Sequence, residues 1–463
     1  MKKEQISKNE RLLKEKQILG KKQSAEEGVE RLLNALGEVD EKYIAEAAPS
    51  KDTGNKTIWL RRGALATCAA LALFVGIRYL PSVLTGGNPG LPDSAGVNHP
   101  GGSSENIGGS SAENPAESGT GSSADLPLLT ISGESSESMG YEGYMAYDIS
   151  DLINANPWNE TAELSTLPVY RNPLSYDTDF IVSGTDFDAM ESFLLEVAAR
   201  LHMNTDTLEI TDNTPDAEEQ AIITEKFEGK VPKGYFDPTA LIAEQNGIKI
   251  EVDVSMTATI TFEPAITLPD GYSFTHYSSY DDILAVAEYL REAYSDLIAM
   301  EEPLMNIYGG DYNIYRQQMY HITFFDTAVN LTEQILNYQF NRVAFYCNDE
   351  EKFYMARVFR PNLSDKAGDY PIISPEEATD LLLNGNYITT VPYEMPGQEY
   401  IAGVELVYRN GKYEKYFMPY YRFYVELPEM EQEDGLRDYG AYYVPAVRQE
   451  YLTNMPVWNG AFN

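Results

Sequence analysis

Two cysteines and four histidines are all that 463 residues offer to thiol and imidazole chemistry, and each shortage excludes something. Cys68 sits inside an uncharged run and Cys347 is the other thiol, so no disulfide can staple the C-terminal bulk, which must hold itself by burial. His99, His202, His276 and His321 are scattered, none beside a second His or Cys at helical spacing, which argues against zinc. The turn from Asp212 to Glu218 has calcium-loop character, yet Ala217 stands where such a loop wants glycine. No Gly-x-Ser-x-Gly elbow is present, and Gly309-Gly310 is followed by Asp311, the wrong charge for a phosphate cradle. The sequence therefore nominates no catalytic residue, no cofactor and no metal ligand. With 72 acidic against 34 basic residues, no carboxylate pair stands out as glycosidase-like. The net charge of −38 argues against a nucleic-acid partner.

Lysine and arginine are also absent from one long stretch, between Arg78 and Arg171, whereas they are dotted from Lys2 to Arg62. Between these regions Gly63–Ile77 carries no charge at all. Trp59 and Tyr79 bracket it twenty positions apart, about 30 Å of helix, which matches a bilayer's hydrocarbon core. The pattern predicts a single transmembrane helix over 58–80, with aromatic belts at both ends and Arg61, Arg62 and Arg78 snorkelling outward. The basic bias places the N-terminus in the cytoplasm and the acidic bulk outside the cell membrane. A cleaved leader is not expected, because a long polar segment precedes the run and no Ala-x-Ala site follows it.

Residues 1–57 read as a cytoplasmic helical segment. Val29, Leu32, Leu33 and Leu36 recur at helical spacing before Gly37, and Asp40 is placed to cap a second helix that carries Tyr43 and Ile44 and stops at Pro49. The apolar residues Leu32, Leu33, Leu36, Tyr43 and Ile44 either dock a cytoplasmic regulatory protein through residues 28–48 or lie on lipid. Residues 81–138, rich in Gly, Ser, Asn and Pro, are expected to be a disordered spacer with a reach of about 40 Å.

The remainder reads as α+β, with a theme of one helix followed by antiparallel strands. Residues 139–370 hold two such units. Their helices are expected at Asp186–Met203 and Tyr280–Met300, and their strands at Met319–Phe325, Asn341–Cys347 and Lys352–Phe359. The alternation from Ile248 to Phe262, apolar on even numbers, predicts one long strand. Residues 371–463 form a third unit. Ser374-Pro375-Glu376-Glu377 is a capping box, Asn410-Gly411 predicts a two-residue hairpin turn, and Pro419 marks an edge or a bulge.

Two stretches resemble known families. Leu36-Gly-Glu-Val-Asp-Glu-Lys-Tyr-Ile-Ala-Glu-Ala-Ala-Pro49, followed by basic residues and one span, resembles single-pass proteins of Gram-positive bacteria laid out like membrane anti-sigma factors. The zinc-type His-x3-Cys-x2-Cys element of that family is missing. Ser374-Pro-Glu-Glu-Ala-Thr379, Val404–Gly411, Met418–Val425 and Tyr442–Val447 resemble PepSY-like repeats and the outer domains of membrane regulators of sensor kinases. The resemblance implies a helix on a curved antiparallel sheet and a non-catalytic, regulatory role.

Thirteen of the 34 tyrosines fall after residue 386. Tyr416, Tyr420, Tyr421, Tyr424, Tyr442 and Tyr443 are candidates for a surface that binds a peptide, a glycan or an envelope protein, although half-buried strands also favour tyrosine. The combined expectation is a membrane-anchored, extracytoplasmic, non-catalytic sensor or binding protein in envelope signalling. An anchored wall or peptide hydrolase and a structural envelope adaptor are the alternatives.

Overall fold

The computed structural model describes residues 126–131, 142–176, 182–227, 229–348, 350–389, 391–411, 414–430 and 435–460. The expected span, the docking residues Leu32, Leu33, Leu36, Tyr43 and Ile44, and most of the spacer lie outside them. Among the described residues no helix is long and apolar enough to cross a membrane.

The chain opens with strands β1 (Gly143–Ala146) and β2 (Thr166–Arg171) and a small hairpin of β3 (Ser175–Tyr176) and β4 (Val182–Ser183). Helix α1 (Phe187–Arg200), β5 (Ile210–Asp212), α2 (Ala217–Lys226), β6 (Ala240–Gln245), β7 (Ile248–Asp253) and β8 (Thr257–Ile266) follow. Next come α3 (Tyr280–Ala293), the single turn α4 (Ser295–Ile298), β9 (Pro303–Tyr312), β10 (Gln318–Asp326), α5 (Leu331–Phe340), β11 (Arg342–Cys347) and β12 (Phe353–Phe359). The last group is β13 (Lys366–Pro371), α6 (Pro375–Leu383), β14 (Ile388–Thr389), β15 (Ile401–Arg409), β16 (Tyr416–Glu426) and β17 (Arg437–Pro445). Helices and antiparallel sheets make the fold α+β.

An eight-stranded sheet runs β5-β6-β7-β8-β12-β11-β10-β9. Two four-strand meanders, each preceded by a helix, thus meet through their last strands. Asp186 caps α1 by accepting the Ala189 N–H, and the stripe Met190, Phe193, Leu194 and Val197 is buried. Phe187, in the first turn, is 37% exposed. Ser279 caps α3, which buries Ile283, Val286, Ala287 and Leu290. Both helices share one core with Ile250, Ile260, Ile307, Phe324, Val343 and Phe345 on a single face of the sheet. The second helix does not run unbroken to Met300. It breaks at Tyr294, whose ring turns into Phe262, Phe345 and Phe353.

The single strand expected over 248–262 is instead a hairpin. Ile248 pairs with Phe262, Ile250 with Ile260 and Val252 with Ala258. Even-numbered residues face even-numbered ones, so the alternation passes through the turn unaltered and periodicity cannot reveal it. The Asp253 carboxylate closes the turn by accepting the Ser255 and Thr257 N–H groups.

The second sheet has seven strands in the order β1-β17-β16-β2-β13, with β15 on β16 and β14 on β17. The expected boundary at residue 370 does not follow it, because β1, β2 and β13 complete the sheet of the C-terminal strands. Residues 126–131, expected within the spacer, belong to the fold: Leu129 and Ile131 are buried, and Leu129 exchanges backbone hydrogen bonds with Tyr451 and Thr453. The two-residue turn at Asn410-Gly411 would set Arg409 opposite Lys412, yet Arg409 pairs with Met418. The two strands are therefore not joined by a two-residue turn, and Glu414 is buried within 2.7 Å of Arg409. Pro419 sits where β16 hands over its pairing from β2 to β17, a place that tolerates a residue without an N–H.

The capping box of α6 is complete: Ser374 Oγ accepts the Glu377 N–H at 3.2 Å and Glu377 accepts the Ser374 N–H at 2.9 Å. Ser374→Ala should therefore cost about 1 kcal/mol in a denaturant melt of the protein. An unchanged midpoint would mean that the helix needs no cap there.

Residues 147–158 tie the two sheets together. Ile153 bridges to Gly309 on β9, Ala155 N–H donates to Asn306, and Asn156 donates to the Leu406 carbonyl on β15. A side chain at Gly310 would stand 1.9 Å from the Asp151 carbonyl, so the close approach requires glycine.

Candidate functional site

The tyrosines nominated from the sequence are core. Tyr420, Tyr421, Tyr424, Tyr442 and Tyr443 are each at most 3% exposed, and Tyr416 is half-buried. Both faces of the seven-stranded sheet are covered. Helices α5 and α6 bring Ile335, Phe340, Ala378 and Leu382 to one face, and Leu129, Ile131 and Leu152 cover the other. Two of the hydroxyls bond to backbone inside: Tyr421 donates to the Ile373 carbonyl and Tyr442 to the Tyr393 carbonyl. The Arg171 guanidinium donates to the Tyr416 hydroxyl at 3.1 Å. As a ligand surface this group is ruled out for five of its six members.

Beneath those rings lies a buried charged row. Register sets Glu405 opposite Arg422 and Arg422 opposite Tyr443 across β15, β16 and β17. Arg422 donates to Glu405, Asn154 donates to the other Glu405 oxygen at 2.8 Å, and Tyr443 donates to Glu142. Burial pushes the Glu414 carboxyl up, against the pull of Arg409. These groups serve one another and are closed to solvent.

Cys347 is buried in the core of the eight-stranded sheet, as a strand cysteine would be. Among the described residues no cluster of three or more His, Cys, Asp or Glu is placed to hold a metal. Asp212 and Asp216 turn their carboxylates to Thr214, Glu218 and Glu219 N–H groups, closing a turn and capping α2.

His321 stacks on Tyr308 at 5.0 Å, and burial, helped by His276, holds its pKa down to about 4. Its neutral form favours the fold above the ordinary value near 6.5, and that contribution is lost as pH falls toward 4. Asp311, pushed up to about 6 by burial, works oppositely: its contribution is present below the ordinary carboxylate range and lost as pH rises through 6. Between pH 6.5 and 4, His321→Gln should flatten the decline in melting temperature, removing about 2 kcal/mol of pH dependence. An identical pH profile in the variant would refute the assignment.

An open cleft of about 410 Å³ lies where α1, the β6–β7 turn, β8 and the α3–α4 junction converge. Leu201, Ile248, Phe262, Ile266, Tyr294 and Leu297 give it an apolar, partly aromatic floor, and Arg200, His202, Asn246, Glu263, Ser295 and Asp296 a polar rim. Burial pushes the Tyr294 hydroxyl up to about 12. Arg200 is spent on Glu196 and the Leu297 carbonyl, and Glu196 also binds Arg360. His202 Nε2 stands 3.1 Å from Asp296 across the mouth. The Asn246-Gly247 turn, with φ of 56° and 77°, shapes one wall, and the Glu263 N–H donates to the Gly247 carbonyl. Of these residues only His202 stands out in the sequence, where it is isolated from any second His or Cys. Asp296 and Glu263 carry no local pattern, because only the fold brings their segments together.

Compared with known protein families and with curated proteins, the chain matches none.

Proposed function

We propose that this chain is a single-pass, membrane-anchored binding protein. Its acidic α+β domain senses a ligand outside the cell, and its N-terminal helices engage a cytoplasmic regulator in envelope signalling. The observation that carries the reading is the order of segments: a basic stretch, an uncharged run bracketed by Trp59 and Tyr79, a Gly/Ser-rich tract, then an acidic folded domain. The cleft beside Tyr294 supports binding, since a concave apolar floor with few polar rim groups is the usual form of a small-ligand site. The packing supports a non-catalytic role, with Arg409–Glu414 and Arg422–Glu405 locked into buried pairs. The PepSY-like and anti-sigma-like resemblances agree with a regulator acting through Leu32, Leu33, Leu36, Tyr43 and Ile44.

Reporter fusions after residue 57 and after residue 140 test the layout. A cytoplasmic signal from the first and an external signal from the second are expected. The reverse pattern would end the sensing proposal.

A further inference from the structure

We infer that the cleft at the α3–α4 junction selects an organic cation, an ammonium or guanidinium on an apolar stem. The inference rests on the reading of that cleft as the binding site and adds the ligand's charge.

Three features set the sign. The C-terminal ends of α1 and α3, two helices of fourteen residues each, both finish at the cleft, through Arg200-Leu201-His202 and Ala293-Tyr294. Helix C-termini carry the negative end of the macrodipole, and α4, a single turn, opposes them only weakly. The fixed cation at the rim is already used: Arg200 is held by Glu196 and the Leu297 carbonyl. The carboxylates are not so used. Among the described residues, exposed Glu263 makes no ion pair and Asp296 pairs with the His202 imidazole alone.

The floor sets the rest of the ligand. Phe262 and Tyr294 stand side by side, ring centroids 6.4 Å apart, and Leu201, Ile266 and Leu297 complete an apolar bed. An aromatic face attracts a cation above it and an alkyl or aryl stem beside it. A volume of about 410 Å³ falls within the range of small-ligand sites, enough for one aromatic ring with a short charged arm. A purely polar cation such as a bare metal ion would leave that bed unused, and an anion would face both helix ends.

Phenethylamine, the neutral 2-phenylethanol and the anionic 3-phenylpropionate, titrated into the full-length protein in a zwitterionic detergent, separate the possibilities. Binding is read by calorimetry and by chemical-shift changes near Tyr294. The amine should bind at least about fivefold tighter than the alcohol, with the anion weakest, and added salt should narrow the gap. Glu263→Gln and Asp296→Asn should each weaken the amine severalfold and leave the alcohol unchanged. Equal binding of all three probes, or a preference for the anion, would overturn the charge selection while the cleft stood as a site. Failure of every probe to perturb the Tyr294 region would overturn the binding-site reading itself, and this inference with it.

Discussion

Arg422→Met should lower the stability of the folded domain by about 3–5 kcal/mol, the largest effect expected of any single charge change here. Arg422 is 2% exposed and faces Glu405, itself 4% exposed, directly across the β15–β16 ladder. Removing the guanidinium leaves a carboxylate in a nearly water-free layer, where Asn154 still donates to it. The row continues to Tyr443 and Glu142, so the loss spreads through three strands and into the segment before β1. The double replacement Arg422→Met with Glu405→Leu should recover much of the loss, because it removes the stranded charge and its desolvation cost together. Urea melts of the three proteins check this. A single variant as stable as the parent, or a double variant no better than the single, would refute the view that the pair is held by mutual need.

Gly247→Ala is the second large effect, expected at about 2–4 kcal/mol. Gly247 has φ of +77°, a region an L side chain enters reluctantly, and its added Cβ would stand 2.1 Å from the Glu263 carbonyl oxygen. The neighbouring strand cannot retreat freely, because the Glu263 N–H is bonded to the Gly247 carbonyl at 2.7 Å. Relief must come from opening the β6–β7 turn, which forms a wall of the cleft. The variant should therefore lose both melting temperature and binding of cationic probes. Asn246→Gly is the control, since Asn246 also has positive φ (56°) and glycine accepts that conformation without strain. A Gly247→Ala protein that melts like the parent would show that β8 yields at Glu263 at no cost.

Features that depend on neighbours along the chain are legible without any tertiary contact. The capping box at Ser374, the stripes of α1 and α3, and the strands around Phe324, Phe345 and Val358 follow from local hydrogen bonding and from the 3.6 and 2.0 periods. The charge layout on which the membrane proposal stands is legible in the same way. Tertiary structure alone decided the rest. The alternation after Ile248 is the same for one strand as for a hairpin whose partners share parity, so only the Asp253 turn tells them apart. A tyrosine-rich strand reads alike whether one face or both are covered. Helices α5 and α6 and the segment Leu129–Ile131 cover both, which turns the nominated surface into core. The pairing of Arg409 with Met418 answers to the burial of Glu414, a contact that no local turn rule contains. The cleft gathers His202, Gly247, Glu263, Tyr294 and Asp296 from segments separated by as much as 94 positions (202 to 296), and its sign comes from two helix ends that meet only when the sheet has formed.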